Sequence, residues 1–183
     1  MLRVLAIALL SAPLLAAASF VMADQKTSPR VHREAFTVVG LEGRTTNANE
    51  MSSGGIIPKL WERLMKEGLL ATIPDRAGDE IIALYTDYQS DKDGAYTYTL
   101  GARVSRAGTL PEGMKVRTVP AGDYASFSVH GKLANDAVVG LWRQVWQLES
   151  DHRIARAYQS DYEVHHLAED GERAVELYIG VKN

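Results

Sequence analysis

The sequence contains no cysteine and carries little net charge of either sign. Without cysteine the chain has no disulfides and no attachment point for the lipid of a bacterial lipoprotein, so a hydrophobic core must stabilise it. Hydrophobic residues make up 46% and charged residues 23%, which excludes the disordered and fibrous classes. A formal net charge of −3 offers nothing that attracts nucleic acid.

An apolar run opens the chain, with Arg3 as its single charge and small residues at Val21 and Ala23. This order is typical of a secretory signal peptide at residues 1–23, although an uncleaved membrane anchor is the alternative. We therefore expect a periplasmic or secreted protein with no stable membrane span after cleavage. The polar residues 24–33 predict a flexible lead-in.

Residues 34–183 predict an α+β domain in which a β-α-β-β module occurs twice, at about 34–105 and 114–183. Strands are indicated by runs of β-branched and aromatic residues, and helices by apolar residues at helical spacing. The first module is predicted to contain a strand at 34–45, a helix at 56–68 and strands at 79–88 and 95–104. The second is predicted to contain strands at 114–119 and 123–130, a helix at 132–149 and strands at 160–167 and 173–181.

Three pairs of segments support an internal duplication. "KLWERL" is similar to "GLWRQV", "TDY" to "SDYEV" and "TLGARV" to "LYIGVK", at nearly constant separations along the chain. The single helix of one module cannot cover its sheet, so we expect two modules to pack side by side. The groove between them is a predicted ligand site.

Acidic residues on the last two strands are the candidates for this site. Alternation places Glu163 on one face of its strand, and places Glu176 with Tyr178 on one face of the next. If Glu163 and Glu176 face the same groove, they form a negative site suited to a cationic or amphipathic organic ligand. Aromatic residues available as walls, for each of which core packing is the alternative, are Tyr85, Tyr98, Tyr124, Phe127, Trp142 and Trp146.

Two other kinds of site are disfavoured. His165 and His166 are adjacent on a strand, so they point to opposite faces and do not share a metal ion. A serine hydrolase is not indicated, because the sequence lacks the "GxSxG" motif. We therefore predict no metal and no cofactor.

Several segments together resemble the GyrI-like superfamily, which includes the effector-binding domains of bacterial multidrug-responsive transcription regulators. They are "IPKLWERL", "PAGDYASFSVHG", "GLWRQVW", "SDYEVHH" and "VELYIGVK", and the resemblance covers essentially all of residues 34–183. It implies a duplicated fold with a ligand cleft between the halves. It also implies that Glu163 contacts cationic lipophilic ligands and that Glu176 lies near the site, with Tyr85, Tyr98, Trp142 and Tyr178 as candidate wall residues.

Three functions follow as hypotheses. The leading one is a periplasmic domain that captures a small cationic or amphipathic molecule. The second is a hydrolase of a reactive small molecule with Glu163 as general base. The resemblance allows this function, because some members of the superfamily with a similar fold hydrolyse reactive small molecules. The third is a protein-interaction domain at the cell envelope. The signal-like segment leaves no room for a DNA-binding helix-turn-helix, so nucleic acid is not an expected partner.

Overall fold

The computed structural model describes residues 28–131, 137–167 and 173–182. Eight strands form one antiparallel sheet in the order β1-β6-β8-β7-β3-β4-β2-β5, which confirms the predicted α+β class. The elements are β1 (Arg30–Arg33), β2 (Phe36–Thr45), α1 (Asn47–Glu50), α2 (Ile57–Lys66), a 3-10 turn (Leu69–Thr72), β3 (Ile81–Thr86), β4 (Tyr96–Val104), β5 (Met114–Val119), β6 (Gly122–Gly131), α3 (Ala137–Ser150), β7 (Arg156–Leu167) and β8 (Arg173–Val181). Within the described ranges, none of the helices has the length and apolar character needed to cross a membrane.

The structure adds strand β1 and helix α1 to the predicted elements. The flexible lead-in was expected to extend through residue 33, but Arg30–Arg33 forms strand β1 and pairs with β6. Residues 47–55 lie between the strand predicted at 34–45 and the helix predicted at 56–68. They begin with α1, where the hydroxyl of Thr46 accepts from the backbone N–H of Asn49. The predicted signal peptide, helix residues 132–136 and the turn at 168–172 lie outside the described residues.

Both longer helices pack on the same face of the sheet. Leu64 of α2 belongs to a core cluster with residues of β2, β3 and β4, and Val145 of α3 belongs to one with residues of β6 and β8. Trp142 of α3 packs against both clusters. The register of the intervening strands keeps the two clusters on one side, with Ala83 opposite Glu163 and Glu163 opposite Leu177. Thus α2 and α3 flank the central strands.

The sheet curls strongly away from these helices. β1 and β2 are the first and seventh strands in the order, yet only residues 34 and 35 connect them. In a flat sheet they would lie about 29 Å apart, whereas three peptide steps span at most about 11 Å. Accordingly, Phe36 of β2 contacts Tyr162 of β7, with ring centroids 5.1 Å apart. The enclosed face buries Tyr162, Ile82 and Leu84 completely.

Candidate functional site

A cavity of about 730 Å³ lies between α2, α3 and the sheet face that these helices cover. This volume is within the range of known small-molecule pockets. Its walls include the aromatic side chains of Trp61, Tyr85, Tyr88, Tyr98, Trp142 and Trp146. The cavity can therefore surround an organic molecule with apolar and aromatic surface.

Glu163 lies in the wall of this cavity and is only 3% exposed. Its Oε1 accepts hydrogen bonds from the Tyr85 hydroxyl at 2.8 Å and from Nε1 of Trp142 at 2.6 Å. Its Oε2 lies 2.7 Å from Nε2 of His165. These partners replace the water that the carboxylate gave up on burial.

Glu163 has no permanently charged ion-pair partner among the described residues. In the described part of the chain, no lysine or arginine nitrogen lies within 4.0 Å of its carboxylate, and His165 is its single ion-pair partner. Tyr85 and Trp142 donate hydrogen bonds but carry no charge. The site can therefore offer a negative charge, surrounded by aromatic rings, to a positively charged group.

The phenols beside Glu163 remain protonated at neutral pH. Burial, and then the nearby Glu163 carboxylate, raise the pKa of Tyr85 and of Tyr98 well above the ordinary tyrosine value. Tyr85 consequently acts as a donor to Glu163. The Tyr98 oxygen accepts from Nε1 of Trp61 at 2.9 Å, which ties α2 to β4 at the cavity wall.

Four of the six site residues predicted from the sequence line the cavity: Glu163, Tyr85, Tyr98 and Trp142. Trp142 is both a core residue and a residue of the cavity wall. Its ring packs in the core, and its N–H donates a hydrogen bond to Glu163. Trp146 also lines the cavity, whereas Tyr124 and Phe127 belong to core clusters.

Glu176 and Tyr178 lie on the opposite face of the sheet. The register pairs Glu176 with Val164 and Tyr178 with Tyr162, so both point away from Glu163. Tyr178 stacks on Tyr162, with centroids 4.8 Å apart, and the Tyr178 hydroxyl donates to Glu176. The two glutamates therefore do not share one groove.

A buried ion pair forms another part of the cavity surroundings. Arg156, which lines the cavity, lies 2.5 Å from Asp161, and both side chains are at most 1% exposed. Asp161 also accepts from the Tyr88 hydroxyl at 2.6 Å and from the Gly180 backbone N–H at 2.8 Å. A bulge in β7 between Arg156 and Asp161 brings these groups together. Because the sequence analysis began this strand at residue 160, it missed Arg156.

Glu50 is a second cavity-lining carboxylate that the sequence analysis missed. Its oxygens accept from the backbone N–H groups of Ile56 at 2.9 Å and Ile57 at 3.1 Å. These are unpaired donors at the start of α2, so Glu50 caps that helix from α1. The sequence signal for this capping role is the position of Glu50, an acidic residue a few positions before the helix predicted at 56–68.

Exposed apolar side chains surround the cavity. Six large hydrophobic residues of the described chain are exposed, and four of them line the cavity: Met51, Met65, Val139 and Leu167. We call these four residues the apolar rim. Exposed apolar residues collected at one place indicate an interaction site.

Comparison with known proteins gives related sequences and folds. Residues 31–181 match the family model Cass2, described as integron-associated effector binding protein. YobU of Bacillus subtilis (strain 168), named as a transcriptional regulator protein, is 29% identical over 154 residues, covering 82% of this chain and 95% of YobU. The integron cassette protein VCH_CASS2 of Vibrio cholerae superposes with a TM-score of 0.70 at 29% identity, covering 86% of this chain and 97% of that one. SAV2435, solved bound to tetraphenylphosphonium, superposes with a TM-score of 0.68 at 17% identity, covering 85% and 94%.

Proposed function

Since this chain belongs to the Cass2 family of integron-associated effector binding proteins, within the GyrI-like group, we propose that it binds a cationic, amphipathic organic compound in the cavity between α2 and α3. In this proposal the positive group of the ligand lies against Glu163, and its apolar part contacts the aromatic walls. The family supplies the general role of effector binding. The residues that line the cavity indicate the chemistry of the ligand.

The observation that carries this proposal is the environment of Glu163. This carboxylate is 3% exposed, accepts hydrogen bonds from the uncharged Tyr85 and Trp142, and has no lysine or arginine ion-pair partner in the described part of the chain. A neutral ligand would leave it in that state, whereas a cation would compensate it. Aromatic faces favour the same ligand, because they attract cations electrostatically.

The amphipathic character is supported by the apolar rim. Met51 is 71% exposed and Met65 is 52% exposed, although both are large hydrophobic side chains. A ligand with an apolar part that extends beyond the cavity would remove these side chains from water, at roughly 25 cal/mol per Å² of apolar area buried. Methionine suits this purpose because its flexible side chain adapts to differently shaped partners.

SAV2435 indicates a suitable probe. Tetraphenylphosphonium, to which that protein was solved bound, is a permanent cation covered by aromatic rings. It combines the two properties that we infer for the ligand of this chain. Since its charge does not titrate, changes in its binding report on the protein alone.

The proposal also includes export of the protein and an internal duplication of its domain. The order of residues 1–23 supports export to the periplasm or medium, where the protein would act without contacting DNA. The similarity between predicted modules at 34–105 and 114–183 supports a duplicated domain. In that arrangement one helix of each module flanks the ligand.

The test is calorimetric titration of tetraphenylphosphonium into three forms of the purified protein. Glu163→Gln keeps the shape of the side chain and removes its charge, so we expect the affinity to fall roughly ten- to a hundredfold, the scale of a charged hydrogen bond. Glu176→Gln is the matched control, because Glu176 lies on the adjacent strand but points to the other face. Wild-type affinity in Glu163→Gln, or an equal loss in both variants, would contradict the proposal.

A hydrolase is the second candidate, since the buried Glu163 carboxylate contacts the Tyr85 hydroxyl in the wall of the cavity. Glu163 would act as general base toward a water molecule, with a tyrosine assisting the leaving group. Product formation from an electrophilic substrate that stops in Glu163→Gln supports this candidate. Binding without turnover favours the binding domain.

A further inference from the structure

Among the described residues, His165 is the basic side chain in direct contact with Glu163. It lies two residues further along β7, on the same face, with Nε2 2.7 Å from Oε2 of Glu163. Its side chain is 12% exposed and lines the cavity. The imidazole ring stands edge-on to Trp61 of α2, with centroids 4.8 Å apart, which fixes it between the helix and the carboxylate.

We propose that His165 is a specificity-determining residue that sets which charge class of ligand the cavity accepts. As a neutral imidazole it donates a hydrogen bond to Glu163 and leaves the negative charge for a cationic ligand. As an imidazolium it becomes the counter-ion of Glu163, and the pair then favours neutral amphipathic ligands. This inference rests on the proposed function, because it concerns the same cavity.

The other charged side chains described around the cavity do not change the charge beside Glu163. Arg156 is paired with Asp161, Lys92 with Asp93, and Glu50 accepts from the first amides of α2. Arg173 of β8 lines the cavity and carries a permanent charge, while Tyr85 and Tyr98 stay neutral.

His166 is the other imidazole at the cavity. Its Nε2 lies 3.8 Å from Glu176, which points to the opposite face of the sheet. Among the described residues that line the cavity, His165 is therefore the imidazole in contact with the Glu163 carboxylate.

The sign of the effect follows from linkage. Acidification adds a positive charge beside the position that the cationic ligand must occupy, so cation affinity falls as pH is lowered. Binding and protonation oppose each other reciprocally, and a cation therefore releases a proton when it binds near the midpoint of the titration. A neutral ligand is not subject to this competition.

The experiment measures the dissociation constant of tetraphenylphosphonium at about pH 8 and about pH 5.5, the two sides of the usual imidazole titration. For the wild type we expect at least about a fivefold weaker affinity at the lower pH, the lower end of typical coupling between sites. His165→Gln retains an amide donor toward Glu163 but does not titrate there, so its affinity should be nearly independent of pH. His32→Gln is the matched control, because His32 also contacts a carboxylate, with Nδ1 2.8 Å from Asp123, away from the cavity-lining residues.

Triphenylphosphine oxide serves as an uncharged probe of similar shape. In the wild type its affinity should stay constant or increase at the lower pH. A flat profile for the cation in wild type, or a wild-type slope in His165→Gln, overturns the role of His165 while leaving cation binding intact. A wild type that binds no cation at either pH overturns the proposed function and this inference with it.

Discussion

Nε1 of Trp142 on α3 donates a hydrogen bond to Oε1 of Glu163 on β7 at 2.6 Å. This contact joins the second long helix to the sheet at the point where the ligand charge is expected to lie. Because the Trp142 ring also packs against two core clusters, the geometry of the site depends directly on the packing of the core. Stability measurements can therefore test part of the site without any ligand.

Trp142→Phe is expected to destabilise the protein by about 1.5–3 kcal/mol, because it removes a hydrogen bond to a charged and buried group. Trp146→Phe is the matched control. Nε1 of Trp146 is buried and has no hydrogen-bond partner in the described part of the chain, so its loss should cost much less. Urea unfolding of the three proteins measures both values. Equal destabilisation by the two substitutions would show that ring size, and not the contact with Glu163, is responsible.

Asp161→Asn is expected to cost about 3–5 kcal/mol of unfolding free energy, because it leaves the buried guanidinium of Arg156 without full compensation. Arg156→Met should be similarly harmful. The double variant removes both charges, so its cost should be clearly smaller than the sum of the two single costs. Chemical denaturation of all four proteins measures this coupling, and additive costs would argue against a tightly coupled pair.

Glu50→Ala is expected to destabilise the protein by about 0.5–2 kcal/mol, the range found for lost helix caps. The amides of Ile56 and Ile57 lose their acceptor, and hydrogen exchange at these two positions should accelerate. Glu67→Ala is a suitable comparison, since Glu67 pairs with Arg63 on the exposed side of the same helix. Unchanged exchange at the two amides would contradict the capping role.

The apolar rim predicts a dependence on ligand length. In a series of alkyltrimethylammonium ions, each methylene buried at the rim should improve affinity about fourfold, equivalent to roughly 0.8 kcal/mol. Met65→Ser should reduce this gain for long chains and leave the short members unaffected. Val116→Ser removes a side chain of similar exposure, 43%, on edge strand β5, and should have no effect. Affinities that do not change with chain length would contradict a role of the rim.

Local patterns in the sequence predicted most of the fold. The alternation of apolar residues gave β5 and β8 with the same bounds as the structure, and helical spacing located α2 within two residues. β1 was missed because "RVHR" is a short and polar segment. Its partner β6 lies far along the chain, and no local pattern reports such a pairing.

The site was only partly predictable, because the sequence does not report how neighbouring strands pair. Alternation shows which residues of one strand share a face, but the pairing register decides how the faces of two strands correspond. Glu163 and Glu176 each occupy a definite face, and the register places them on opposite sides. The apolar Leu177 shares the face of Glu163 because α3 covers that part of the sheet. Contacts such as His165 with Trp61 depend on the packing of α2 and leave no local signal.

The two-residue connection between β1 and β2 has a consequence for folding kinetics. Arg30 meets Asp123 across 93 positions of sequence, so β1 cannot join the sheet before β6 has formed. Loop closure over such distances costs entropy before any contact compensates it, and folds rich in such contacts fold slowly. We therefore expect β1 to be the last strand to join the sheet, closing the curled face over Tyr162 at the end of folding.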